Sequence, residues 1–175
     1  MQFSFCPECG RRLIRKQIGD EGEIPYCEGC ERPWFSVSYP CVICLVTNGK
    51  GRFALIRQTY ATKNYVCVAG FIKERETAEQ TAVREIREEI GLEVLDIRFV
   101  SSYYYPKHDN LMLGFACTVD PGEFRLSGEV ECAGWFSLVQ ARELLSHGTV
   151  GKDLLRDYLA MWGIKTLKGC VIRGI

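Results

Sequence analysis

The chain carries no surplus of charge of either sign, since 22 lysines and arginines balance 22 aspartates and glutamates over 175 residues. A protein that holds nucleic acid or an anionic membrane by bulk electrostatics needs a basic excess, and none is present. No apolar run approaches the roughly 18 residues that a membrane-spanning helix requires. The first residues lack the basic-then-apolar layout of a secretory signal peptide, so the expected location is cytoplasmic. Histidine is nearly missing: His108 and His147 are the only two, and both read as surface positions. Repeats and low-complexity linkers are also lacking, which leaves an ordinary globular chain.

Cysteine, by contrast, is abundant. Cys6-Pro7-Glu8-Cys9 and Cys27-Glu28-Gly29-Cys30 form two C-x-x-C knuckles separated by 17 residues, inside the spacing range of four-cysteine zinc ribbons. Gly10 and Gly29 are expected to supply the tight turns beside the sulfurs. Four thiolates without a histidine describe a closed tetrahedral Zn2+ site, structural in character, with no position open for chemistry. A ribbon of this size, residues 1–32, buries too little to fold unaided, so the metal would provide most of its folding free energy. It holds five basic residues against six acids, so a structural or dimerisation role suits it better than nucleic-acid binding. The remaining cysteines, Cys41, Cys44, Cys67, Cys117, Cys132 and Cys170, lie in mostly apolar segments and read as small core residues of a reducing compartment. Cys41 and Cys44 fall within one predicted strand, where residues three apart point to opposite faces, so they are not expected to share a metal.

The most informative stretch runs from Gly70 to Leu92, with fixed points at Gly70, Glu76, Arg84, Glu85, Ile86, Glu88, Glu89, Gly91 and Leu92. Thr77 and Gln80 form a capping box that starts a helix near Ala78. Ala82, Ile86 and Ile90 recur every four residues and give it a narrow apolar stripe. Gly91 stands where the helix would end in a left-handed residue, and Leu92 opens the next strand. Gly70 ends the apolar run Tyr65–Ala69, which reads as a buried strand. Spacings of three and four place Glu85, Glu88 and Glu89 on one helix face. Like charges so close repel unless a cation joins them, and hard divalent ions such as magnesium favour oxygen ligands of this kind.

This segment resembles the Nudix box, matching all nine of its fixed positions over 23 residues. The resemblance implies a metal-dependent hydrolase that splits the phosphoric anhydride of a nucleoside diphosphate linked to another moiety. It implies Mg2+ or Mn2+ on Glu85, Glu88 and Glu89, with the Gly70 carbonyl as a further ligand, and Arg84 and Glu76 paired with each other or with the glutamates. Which glutamate acts as base is left open. A four-cysteine ribbon placed before the box resembles the NADH pyrophosphatase group, in which a glutamate six positions before a tryptophan also binds metal. Here that residue is Glu129, before Trp135, with Glu131 as the competing choice. The group's proline- and tryptophan-rich substrate loop is replaced by Ser101-Ser102-Tyr103-Tyr104-Tyr105-Pro106, so the resemblance implies that Tyr103 or Tyr105, with Phe71, stacks a nucleobase. His108, in the same loop, is a further candidate for a phosphate contact. The implied substrates are NAD(H), ADP-ribose or flavin adenine dinucleotide, with cleavage of nucleoside triphosphates or a non-catalytic nucleotide-binding role as alternatives. Homodimerisation is an expectation from the group.

The remaining pattern predicts strands over Val37–Thr47 and Arg52–Gln58 joined by a turn at Asn48–Gly51. Further strands are expected over 92–105 and 111–119 and ending at Trp135-Phe136. Helices are expected over Leu138–Leu145 and Asp153–Trp162, and a short strand at Cys170–Ile172. The expected fold class is α/β: a zinc ribbon at 1–32, then a Nudix hydrolase domain at 33–175 built as an α/β/α sandwich around a mixed sheet.

Overall fold

The structure is a computed structural model that describes residues 3–59, 64–163, 165–167 and 170–172. The chain up to Tyr39, with Lys107–Asp109, makes one compact unit, and Pro40–Pro106 with the chain from Asn110 onward makes a second.

The first unit is a three-stranded antiparallel sheet, β1 (Ile14–Gln17), β2 (Glu23–Cys27) and β3 (Arg32–Pro33), in that order. Ile14 pairs with Tyr26 and Cys27 with Arg32. Its buried hydrophobic residues include Cys6 and Cys27, so the thiols themselves occupy its interior. Gly10 does adopt a left-handed turn (φ 71°), whereas the corresponding turn after the second knuckle falls on Glu31 (φ 52°) and not on Gly29. At Gly29 a Cβ would meet only the outer end of the exposed Arg11 side chain, which can move aside.

The second unit follows the order β4 (Tyr39–Thr47), β5 (Arg52–Gln58), β6 (Val68–Phe71), α1 (Ala78–Ile90), β7 (Val94–Tyr105), β8 (Asn110–Val119), β9 (Val130–Ser137), α2 (Leu138–Leu144), α3 (Val150–Met161). A hairpin of β10 (Lys165–Leu167) and β11 (Cys170–Ile172) follows. The main sheet runs β7-β8-β4-β5-β9, and β6 joins β4. Strand β4 therefore divides one edge between two partners: Val46 pairs with Ala54 of β5, while Cys41–Cys44 pair with Val68–Phe71 of β6. Strands β4 and β8 run parallel: the Tyr39 N–H bonds the Asp109 carbonyl at their starts, and Gly49 meets Thr118 where they end. The other pairings of this sheet are antiparallel, so the sheet is mixed.

Its central strands are buried on both faces, which is why they read as unbroken apolar runs. Val42, Cys44, Val46, Ala54 and Ile56 face one core with Ala82, Ile86 and Ile90 of α1. Ile43, Leu45, Phe53 and Leu55 face the other, with Ala141, Leu145, Leu154, Leu155 and Leu159 of α2, α3 and the turn between them. Helix α1 thus covers one face and α2 with α3 the opposite one, an α/β/α sandwich. Cys44 packs toward α1 and Cys67 toward α3, each as a small core residue.

Several boundaries differ from expectation: β6 starts at Val68 and not at Tyr65, β7 opens at Val94 and not at Leu92, β8 starts one residue early at Asn110, and α2 and α3 end one residue early at Leu144 and Met161. Gly70 lies inside β6, opposite Val42, and does not end a preceding strand. Strand β4 begins at Tyr39, two residues later than the pattern suggested. Helix α3 starts at Val150 because Thr149 caps it, its hydroxyl accepting from the Lys152 N–H. Gly151 fits inside that first turn, where a Cβ would press on Cys67 and Leu145.

Candidate active site

The site is assembled at the junction of β6 and α1. After β6 the chain makes a turn in which Arg75 takes a left-handed conformation (φ 66°), and the Glu76 N–H bonds the Lys73 carbonyl. Thr77 then caps α1, accepting from the Gln80 N–H, while the Gln80 side chain accepts from the Thr77 N–H, completing the capping box. At the far end Gly91 (φ 70°) closes the helix, its N–H donating to the Arg87 carbonyl. A non-glycine residue there would strain the backbone and collide with Arg125.

Arg84 is the hub. Its Nε and Nη2 grip Glu76 at 2.7 and 2.8 Å, a bidentate pair. Nη1 donates to Glu85 at 2.6 Å and to Glu88 at 3.0 Å, and Nη2 also reaches the Phe71 carbonyl at 3.2 Å. The Arg84 guanidinium holds the Glu76 carboxyl down at about 2. The three box carboxylates sit at graded depth: the Glu88 side chain is 53% exposed and that of Glu85 13%, while Glu89 as a residue is 5% exposed. Burial raises the Glu85 carboxyl above its ordinary value. Burial also pushes Glu89 up to about 8, helped by the nearby charges of Glu85, Glu129 and Glu88. Its Oε2 is buried with no hydrogen-bond partner. A buried, unsatisfied carboxylate oxygen that feels the charges of further carboxylates is a costly arrangement unless a cation completes it.

Gly70 contributes by what it lacks. A Cβ at this position would fall on the Glu85 carboxylate. Gly70→Ala is therefore expected to displace Glu85 and weaken Mg2+ binding by about tenfold, as disturbance of ligand orientation does. Titration calorimetry reads this directly, and wild-type affinity would show that Glu85 has no part in the cation site.

Glu129 reaches this cluster through a segment whose role the sequence did not reveal. The Arg125 N–H bonds the Ile90 carbonyl and the Ser127 N–H bonds the Glu89 carbonyl, so the loop caps the last carbonyls of α1. The Glu129 carbonyl then accepts from the Thr59 N–H at 2.9 Å, which anchors the residue on the β5 side. Glu131, the competing choice, is held by Arg57 in a bidentate pair with both contacts at 2.9 Å. Backbone-amide bonding of this kind leaves no residue-type signal in a sequence.

The aromatic candidates are scattered. Tyr103 packs in the core under α3 and donates its hydroxyl to Asp157 at 3.0 Å, on the sheet face opposite α1. Tyr105 is half-buried, and Phe71 is 58% exposed at the end of β6. His108 is exposed in the turn between β7 and β8.

In the first unit, the sulfurs of Cys6, Cys9, Cys27 and Cys30 all lie within 4.8 Å of one another. Among the described residues this is the one cluster of potential metal ligands drawn together so tightly. Glu85 and Glu88 are instead gathered on the Arg84 guanidinium. No described helix is long and apolar enough to cross a membrane.

Known proteins bear on both units. The NUDIX domain pattern matches residues 38–158. The NAD-capped RNA hydrolase NudC of Pectobacterium carotovorum subsp. carotovorum (strain PC1) is 30% identical over 159 residues, covering 90% of this chain and 60% of the relative. NudC of Pseudomonas aeruginosa (strain LESB58) is 33% identical over 157 residues, covering 89% and 55%. The chain thus spans little more than half the length of these curated relatives. Among solved structures, a NUDIX hydrolase from Nitrosomonas europaea superposes with a TM-score of 0.73 at 22% identity, covering 90% of this chain and 91% of the other. The NUDIX domain of Shewanella oneidensis NrtR, solved with ADP ribose, gives 0.63 at 13% identity over 78% and 93%. Those two likenesses concern the fold. With the domain pattern spanning β4 to α3 and the glutamate-rich helix at its centre, the chain belongs to the Nudix hydrolase family.

Proposed function

We propose that the chain is a divalent-cation-dependent pyrophosphatase that hydrolyses the phosphoric anhydride of a nucleoside diphosphate joined to a second moiety, of the NAD(H), ADP-ribose or flavin adenine dinucleotide type. The observation that carries this reading is the unsatisfied, buried Glu89 oxygen beside Glu85, Glu88 and Glu129. An all-oxygen donor set with one orphaned carboxylate fits Mg2+ or Mn2+. The same reading makes Glu85, Glu88, Glu89, Glu129 and the Gly70 carbonyl the candidate ligands. Bound there, the cation would neutralise phosphate charge and lower the pKa of water. Arg84, gripped by Glu76, keeps Glu85 and Glu88 oriented. A box glutamate takes the proton as the water oxygen bonds to phosphorus. The bridging P–O bond breaks, and the products are AMP and a second monophosphate. Phe71, exposed at the end of β6, is the proposed stacking residue, because the Tyr103 ring is packed beneath α3 and Tyr105, two residues along the same strand, shares its face.

The names of the curated relatives support a dinucleotide-type substrate. Residues 1–32 would form the ribbon and 33–175 the hydrolase domain, with Zn2+ on Cys6, Cys9, Cys27 and Cys30. The sulfur spacings of 3.9 Å for Cys6 to Cys30 and 3.5 Å for Cys9 to Cys27 fit such an ion. Zn–S bonds of about 2.3 Å place tetrahedral sulfurs about 3.8 Å apart.

Product analysis with Mg2+ tests the reaction class. NADH, ADP-ribose, flavin adenine dinucleotide and a nucleoside triphosphate are offered separately. AMP from a dinucleotide supports the proposal, while pyrophosphate released from the triphosphate alone would replace it with triphosphate cleavage.

A pH dependence follows from Glu89, whose carboxyl is raised from 4.5 to about 8. Between those values the metal-free native state holds a proton that the unfolded state has released, so stability falls as pH rises through this window. A cation must displace that proton, so its affinity is expected to increase with pH and level off above about 8. Calorimetry from pH 6 to 9 checks it, and a flat profile would show that Glu89 does not titrate against the metal.

A further inference from the structure

The box pattern leaves position 81 unspecified, and this chain places a threonine there. Thr81 is completely buried on α1. Its hydroxyl lies 2.9 Å from Glu76 Oε2 and 3.0 Å from the Thr77 carbonyl oxygen. A hydroxyl has one proton to donate. The Thr77 carbonyl already accepts the Thr81 N–H at 3.0 Å, and the carboxylate is the stronger acceptor, so the proton belongs on Glu76.

The consequence lies in how Glu76 is held. Arg84 grips both of its oxygens, but Arg84 is a long side chain that could swing together with its partner as one rigid pair. The Lys73 N–H adds a longer contact at 3.3 Å from the loop side. Thr81 supplies the short contact that comes from the rigid helix. Valine would fill the same buried space, so the hydroxyl answers no packing need. From these contacts we infer that Thr81 is a positioning residue for the cation site: its hydroxyl pins Glu76, Glu76 orients Arg84, and Arg84 presents Glu85 and Glu88 to the ion. The inference rests on the proposed role of Glu85 and Glu88 as cation ligands.

The test measures Mg2+ affinity by titration calorimetry on the full chain, together with the Mg2+ concentration needed for half-maximal hydrolysis. Thr81→Val is expected to weaken Mg2+ binding about tenfold, the lower end of what loss of a ligand-orienting partner produces. Excess Mg2+ should recover most of its activity, and Thr81→Ser should stay within about twofold of wild type. If valine does not fold, Thr81→Ala carries the same prediction, because alanine suits a helix interior. Wild-type Mg2+ affinity in the valine or alanine variant would overturn the inference and leave the hydroxyl a helix-internal contact. So would a serine variant as weak as valine, which would assign the effect to the methyl group. Glu88→Gln, measured in parallel, separates the two levels. If it too binds Mg2+ normally, the cation site itself is wrong, whereas if it alone fails, only the role of Thr81 falls.

Discussion

Replacing Glu88 with glutamine is expected to lower kcat on the preferred dinucleotide by about 10³, roughly 4 kcal/mol of transition-state stabilisation, while the fold stays intact. The two effects separate because of where Glu88 sits. Its side chain is 53% exposed and pairs with Arg84, which keeps Glu76 and Glu85 after the substitution. A half-exposed ion pair contributes little to stability, so thermal unfolding should shift by no more than a few degrees. Glu79, exposed in the first turn of the same helix, supplies the control, and Glu79→Gln should be silent. The same assay decides between the two carboxylates before Trp135. Glu129→Gln should impair turnover severely, because the Glu129 charge already bears on Glu89. Glu131→Gln should cost little, since it removes an exposed ion pair with Arg57. A silent Glu129 with an inactive Glu131 would reverse the assignment, and full activity in Glu88→Gln would remove the helix from the chemistry altogether.

The second large effect concerns the cysteine unit. Removal of the proposed Zn2+ with a strong chelator, or substitution of Cys27→Ser, is expected to unfold the region up to Tyr39 and leave the sandwich folded. Cys6 and Cys27 are buried in this unit together with Pro25, and both cysteines are ligand candidates. Its three strands hold four, five and two residues, too few to persist without a core. Structural zinc in such small units supplies apparent binding free energies of about 10–16 kcal/mol, which exceeds what so small a unit gains otherwise. The sandwich has its own two cores, lined by α1 on one side and by α2 and α3 on the other. Amide hydrogen exchange would show this as rapid exchange in β1 and β2 after chelation, with β4, β5 and α1 still protected. Unchanged protection in β1 and β2 would mean that the unit stands without metal.

The glutamate-bearing helix α1 was legible in the sequence because its information is local. Capping by Thr77 and Gln80, the stripe of Ala82, Ile86 and Ile90, and the stop at Gly91 all depend on neighbours within a few residues, and each appears as expected. The cysteine cluster was legible for a related reason, since two short knuckles preorganise their own ligands. Tyr103 shows where such reading fails. Alternation along a strand tells which tyrosines share a face, but not which face will be covered by α3, and Asp157 lies 54 residues away. Thr149 as the α3 cap was obscured by the flanking Gly148 and Gly151, which look like helix breakers until Gly151 is seen packed against Cys67.

By itself, then, the sequence determined the fold class, the family, the four-cysteine cluster and the helix that carries the glutamates, since short-range periodicity and fixed spacing specify all of these. The tertiary structure alone decided the depth of Glu89, the pairing of Glu131 with Arg57 while the Glu129 charge bears on Glu89, and the burial of Tyr103. It also showed the contact that ties Thr81 to Arg84 through Glu76. The reason is physical. How strongly a carboxylate is desolvated, and which cation or amide meets it, depends on chain segments brought together from far apart, and no local pattern records that encounter.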